Sequence, residues 1–305
     1  MSGGHGRMVL AQWLQDLAME AIGQRVRAVT GSRSSLDDFA GPPGDPGLFG
    51  PDAIAWRVHE HFTAMMVGGL SSLMVQALHP RALAAVWDHS DFRHDLRGRL
   101  GRTAYFVAAT TYGGRSLAMR TIARVNAIHA QAVGTDQQGR PYAANDPQLI
   151  RWVHLVEVCA FLGAYQAFAN QALTPTACDR YTDEMRQVGH LLGASDLPQG
   201  LHASEQALRD FEPDLVCDAR TREILHCIET YPVDLPDRPF MALVLQAAFD
   251  LMPEWALRLL GRRQACALQR QATRRALQLA AQPVQWMLAQ QGVAATARRR
   301  VSSQA

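Results

Sequence analysis

Lysine is missing from this 305-residue sequence: all 30 of its basic side chains are arginine. Without lysine there is no Schiff-base amine for aldol or pyridoxal-phosphate chemistry. A phosphate-cradling P-loop also needs lysine, and its glycine pattern is absent too. The chain contains no GxGxxG fingerprint, no GxSxG elbow and no HExxH zinc motif. Cysteine is scarce: Cys159, Cys178, Cys217, Cys227 and Cys266 are odd in number and scattered, and no CxxC pair occurs. That distribution suggests neither a disulfide framework nor a thiolate zinc site, and the lack of CxxCH excludes the usual covalent c-type haem attachment.

Excess charge is also lacking. A formal net charge of +2 offers no electrostatic footprint for nucleic acid. The one dense basic run, Arg298-Arg299-Arg300, reads as a solvated, frayed end. The longest uncharged stretches, Phe62 to Leu78 and Val158 to Cys178, are diluted by Gly, Ser, Gln or Asn. No integral membrane span is therefore expected, although peripheral association stays open. The N-terminal stretch has Asp16 and Glu20 inside its apolar pattern and no small-residue cleavage site, so it reads as an amphipathic helix rather than a signal peptide. A reduced, soluble, cytoplasmic protein is the expectation.

What the sequence does have is helical periodicity, with almost no strand alternation. Met8 to Val29 forms a first amphipathic helix. The Gly-, Pro- and Asp-rich segment Ser32 to Gly50 reads as a loop or lid. Gly50-Pro51-Asp52 opens a helical run to His79-Pro80, with a break expected at Gly68-Gly69. Helices follow over Arg81 to His89, Phe92 to Thr111 and Arg115 to Val133, then a small hairpin within Gly134 to Ala144. Asn145-Asp146-Pro147 and Thr174-Pro175 are cap-plus-proline starts of two long helices. Shorter helices are expected near Ser204 to Phe211, Asp218 to Glu229 and Arg238 to Asp250, and a long one over Pro253 to Ala281, broken at Gly261-Arg262. This pattern predicts an all-α fold: one large helical domain of about ten helices around an apolar core. Residues 1–42 hold the N-terminal helix and loop, 43–290 the main domain, and 291–305 a flexible Arg/Ser tail.

Three constellations carry chemistry. Arg99, Arg102 and Thr103 fall at i, i+3 and i+4 of one helix, where two guanidiniums and a hydroxyl can anchor a carboxylate or an oxygen species. The plain alternative is a solvated cationic face, since Arg93 and Arg97 precede it; against this, the helix is uncharged from Thr103 to Gly114. His129 shares a stripe with Ile122, Val125, Ala132 and Val133, so its imidazole faces an apolar interior. It is either a core histidine bonded to a carbonyl or an axial haem ligand. His154 and Glu157 are three residues apart and can meet on one face, but the order is the reverse of a di-iron ExxH and there is no second copy. His59-Glu60-His61 alternates around its helix and reads as a polar face.

An ordered series of short motifs adds to this. It runs Gly44-Asp45-Pro46-Gly47, Gly50-Pro51-Asp52, Leu78-His79-Pro80, Asp88-His89-Ser90 and Arg99-Leu100-Gly101-Arg102-Thr103. It continues with His129-Ala130-Gln131-Ala132-Val133-Gly134, Tyr142 to Pro147, and Trp152-Val153-His154. Over roughly residues 43 to 255 this series resembles the MpaB-type oxygenase family, whose catalytic domain is shared with the rubber oxygenases (latex-clearing proteins). The resemblance implies an all-α fold holding a non-covalent haem b, with His129 as the histidine ligand of iron and dioxygen as co-substrate. It also implies that Arg99 and Thr103 are catalytic and that Arg102 helps bind the cofactor, standing where rubber oxygenases have lysine. Asn126 departs from relatives that carry arginine three residues before the histidine. The expected function is a haem-dependent oxygenase acting on an apolar, isoprenoid- or lipid-like small molecule. The competing reading is a non-catalytic helical protein that carries haem or lipid. Roles for His79, His154 and Glu157 are left open.

Overall fold

A computed structural model describes residues 35–303, and the helix expected over Met8 to Val29 lies outside them. The described chain is all-α, with one two-stranded hairpin. Its elements are α1 (Asp37–Ala40), α2 (Ile54–His59), α3 (Phe62–Gln76), α4 (Pro80–His89), α5 (Leu96–Tyr112) and α6 (Arg115–Gln131). The hairpin β1 (Val133–Thr135) and β2 (Pro141–Ala143) follows, and then come α7 (Pro147–Phe168), α8 (Pro175–Leu192), α9 (Leu201–Arg209) and α10 (Ala219–Glu229). The chain closes with α11 (Arg238–Leu251), α12 (Glu254–Leu259), α13 (Ala267–Gln291) and α14 (Val293–Ser302). Among the described residues no single helix is long and apolar enough to cross a membrane.

Side-chain caps set six of the fourteen α-helix starts among the described residues. Asp95, Asp146 and Thr174 accept backbone N–H bonds at the first turns of α5, α7 and α8, and Pro147 and Pro175 fit first-turn positions where no N–H is needed. Two histidines do the same work. His61 accepts the Ala64 N–H at α3 (3.2 Å), and His79 accepts the Ala82 N–H at α4 (3.4 Å). His79 is 1% exposed and packs against Trp152 and Phe211, so it serves the core.

The helix expected from Gly50 to His79 breaks at Glu60 and His61, not at the glycine pair. α3 runs through Gly68 because α7 crosses it there. A Cβ on Gly68 would sit 2.9 Å from the Ala160 carbonyl oxygen and 2.9 Å from Phe161 Cδ1. Glycine is needed for close approach, and the helix tolerates it. α3 and α7 are the central pair of the fold, with Val67, Met74, Trp152, Leu155 and Leu162 buried between and around them. The cost of glycine's conformational freedom is offset by this packing.

The segment expected to be a lid does different work. Asp45 Oδ1 accepts the Gly47 N–H at 2.8 Å, and Oδ2 accepts the Arg115 N–H at 2.8 Å. Asp45 thereby caps α6 from a distant part of the chain. Gly47 has φ of 74°, and a Cβ there would lie 2.4 Å from the Gly113 carbonyl oxygen. The Gly44-Asp45-Pro46-Gly47 motif is a clasp on the start of the helix that carries His129, and residues 35–50 line neither of the cavities described below.

The C-terminal run is corrected as well. Residues 293–302 are helical and dock on α1 and α5. Arg300 is 2% exposed and donates to the Phe39 and Asp45 carbonyl oxygens, both at 3.0 Å. Arg298 grips both carboxylate oxygens of Glu60 at 2.6 Å. No acid lies near these arginines in the sequence; their partners come from the far end of the domain, which is why they read as solvated.

Candidate functional site

Two cavities lie side by side beneath α5. The inner one, about 170 Å³, is walled by α4, α5, α6, α7 and α8 and receives His129, His154, Met185 and Val188. The outer one, about 270 Å³, lies between α3 and α5 and is lined by Phe62, Met65, Met66, Leu73 and Thr103. His59, Gln76, Arg99, Val107, Glu157 and Phe161 line both and form the partition. The predominantly apolar lining with a few polar groups is the usual composition of small-molecule sites. A third cleft, about 520 Å³, opens on the opposite side of α7 among Glu205, Arg209 and Trp255, away from the predicted site residues.

His129 reaches the inner cavity from the last turn of α6. Its Nδ1 is buried without a hydrogen-bond partner, and burial lowers its pKa, so the ring is neutral at pH 7. An imidazole of this kind is available as a ligand, and the cost of leaving it unpaired is a reason to look for a group that engages it. Asn126, three residues before it, donates to the Leu191 carbonyl oxygen at 3.0 Å and so ties α6 to the end of α8.

Arg99 faces both cavities, and burial, followed by the charge of Arg102, brings its pKa down to about 10. It remains charged at neutral pH. Its hydrogen bond goes to Ser90 Oγ at 3.1 Å, and among the described residues it makes no ion pair. Ser90 belongs to the Asp88-His89-Ser90 turn, whose other members hold the hairpin: Asp88 accepts the Tyr142 hydroxyl at 2.8 Å, and His89 bonds the Val133 carbonyl oxygen at 3.2 Å. The motif thus positions Arg99 and the exit of α6 together.

Arg102 and Thr103 fare differently. The expectation that all three side chains share one working face does not hold for Arg102, which points outward and pairs with Asp95 at 3.4 Å. The cap residue of α5 draws it away from the wall. Thr103 lines the outer cavity while its hydroxyl donates to the Arg99 carbonyl oxygen at 3.2 Å.

His154 and Glu157 do share a wall, that of the inner cavity. His154 packs against Gly189, where no Cβ would fit, and burial takes its pKa to about 4. Glu157 has no hydrogen-bond partner among the described residues, and burial lifts its pKa to about 7. No group of three or more His, Cys, Asp or Glu side chains among the described residues is placed to hold a metal ion by itself.

His59 overturns the polar-face expectation. It is 6% exposed, with Nδ1 bonded to Thr111 Oγ1 at 2.7 Å and Nε2 to the Tyr181 hydroxyl at 2.9 Å. Burial holds its pKa at about 3, so it is a neutral strut at the partition. The signal was present in Ala55, Trp56 and Val58, the apolar neighbours on its own helix, all of which are buried. Tyr181 and Thr111 had no local signal at all.

Comparison with curated proteins gives no match, and comparison with solved structures gives none either. The family described as "ER-bound oxygenase mpaB/B'/Rubber oxygenase, catalytic domain" matches residues 56–286, a span that includes every side chain lining the two cavities. On a match covering well over half of its 305 residues, the chain belongs to this family of oxygenase catalytic domains.

Proposed function

We propose that this protein is a haem b-dependent oxygenase that acts on an apolar, isoprenoid- or lipid-like small molecule. One observation carries the reading: a neutral imidazole with an unpartnered buried nitrogen and an enclosed guanidinium without an acid face the same apolar inner cavity. These are the two groups a non-covalent haem requires of its pocket, a histidine ligand and a cation for its carboxylates, and the residues fit it. Bound haem supplies the dioxygen chemistry; the protein supplies ligand, charge and access.

His129 would hold the iron, and the clasp at Asp45 fixes the start of its helix. Arg99 would pair with a carboxylate of the bound group, with Ser90 holding the guanidinium in place. Arg102 acts on the site through its charge, which disfavours the charged form of Arg99. Thr103, its hydroxyl held on the Arg99 carbonyl oxygen, would offer the outer cavity a group to orient dioxygen. The side chains of Phe62, Met65, Met66, Leu70 and Leu73 exclude water and receive the apolar substrate.

The test is oxygen uptake by the haem-loaded protein across a panel of unsaturated isoprenoids and lipids. Uptake that requires both haem and substrate, and that falls at least tenfold in Arg99→Ala, supports the oxygenase. Haem binding with no uptake on any compound would instead indicate a carrier.

A further inference from the structure

The outward face of α13 is the strongest surface feature left unexplained by the oxygenase site. Leu268, Arg275, Leu279 and Trp286 are spaced seven, four and seven residues apart, which brings them within about 40° on a helix of 3.6 residues per turn. Leu268 is 77% exposed, Leu279 66% and Trp286 47%, while Thr273, Leu277, Ala281 and Met287 on the opposite side are buried. The stripe runs for about 27 Å at 1.5 Å per residue. Two exposed leucines and a tryptophan in one line are more than the scattered apolar residues of an ordinary surface.

Charge decides what the stripe meets. From Trp255 to the C-terminus the sequence contains nine arginines and no Asp or Glu. Some of these arginines are engaged: Arg262 pairs with Glu229, Arg298 with Glu60, and Arg300 is buried on carbonyl oxygens. Arg263, Arg274 and Arg275 are exposed and pair with no acid among the described residues. A helix whose stripe carries two leucines, a tryptophan and the unpaired Arg275, and which has no carboxylate of its own, is complementary to an anionic lipid surface, with apolar groups entering the acyl boundary and arginine meeting headgroup phosphates.

The helix also touches the outer cavity. Gln285, next to Trp286, accepts the Phe62 N–H at 2.7 Å and donates to the Glu60 carbonyl oxygen at 3.0 Å. Phe62 is a wall of that cavity and stacks on Phe240. We infer that α13 docks this protein on an anionic membrane surface, through Leu268, Leu279 and Trp286 with Arg275 and its neighbours. This surface stands whether or not the cavities hold haem.

The experiment is cosedimentation of the full chain with vesicles of phosphatidylcholine alone and of phosphatidylcholine mixed with phosphatidylglycerol. Wild type should pellet with the anionic vesicles and much less with the neutral ones. Leu279→Glu should lower that binding at least tenfold, the equivalent of losing one buried leucine. Arg275→Ala should lower it about fivefold on anionic vesicles only. Circular dichroism and the melting temperature of both exposed-site variants should match wild type. Equal pelleting with both vesicle types, or wild-type binding by Leu279→Glu, overturns the inference. So does light scattering that shows a dimer dissociated by Leu279→Glu in a protein that ignores vesicles, since the face would then meet a second copy.

Discussion

Replacing Glu157 with glutamine should make the protein more stable at neutral and alkaline pH and leave it unchanged below about pH 4.5. The carboxyl sits between two apolar cavities with no bond partner, and burial takes its pKa from the ordinary 4.5 to about 7. A raised acid pKa means that the folded state prefers the protonated form. Its contribution is intact below about 4.5, is lost as pH rises through about 7, and stays lost above that. At about 1.4 kcal/mol per unit, the loss reaches about 3 kcal/mol, an upper figure because the carboxyl keeps some access to the cavities. Glutamine has nearly the same shape and does not titrate. Urea unfolding of both proteins from pH 4 to 8.5 should show coincident midpoints near pH 4 and an advantage for Glu157→Gln that widens from about pH 4.5 to about 7 and then levels off. A difference that does not change with pH, or a variant less stable than wild type at pH 8, would refute the argument that Glu157 is an enclosed, unpartnered carboxyl.

Three further outcomes follow from the packing. Gly68→Ala places a methyl against the Ala160 carbonyl and the Phe161 ring, so it should lower stability by about 1–3 kcal/mol in urea unfolding although alanine is the better helix former. Asp45→Ala strips two backbone N–H groups of their acceptor and should cost about 1–2 kcal/mol, with a faster loss of bound haem because the His129 helix loses its clasp. Arg300→Ala should lower the melting temperature measurably, since it leaves the Phe39 and Asp45 carbonyl oxygens unbonded, whereas an exposed arginine such as Arg263 can be replaced without effect.

Local signals reached a long way into this fold. The cap-and-proline starts at Asp146-Pro147 and Thr174-Pro175 and the hairpin after residue 133 stand where the sequence puts them, because each depends on neighbours within a turn or two. The cavity lining was legible where a side chain acts from its own helix face, as with His129 and Arg99 on the inner cavity. It was illegible wherever the partner is distant. Gly68 reads as a break until Phe161 is placed opposite it, and the Asp45 clasp depends on Arg115, 70 residues further on. His59 acquires its role from Thr111 and Tyr181, 52 and 122 residues away. Arg102 was misplaced for a more local reason: three residues along a helix turn a side chain far enough for the cap at Asp95 to capture it.

The most direct test of the central claim is an absorption titration of the purified protein with haemin. Wild type should take up one equivalent and develop a sharp Soret band, and His129→Ala should lose the band or shift it markedly while keeping its helical circular dichroism. A protein that develops no specific band at one equivalent, or a His129→Ala variant whose spectrum is identical to wild type, would contradict the assignment of His129 as the iron ligand.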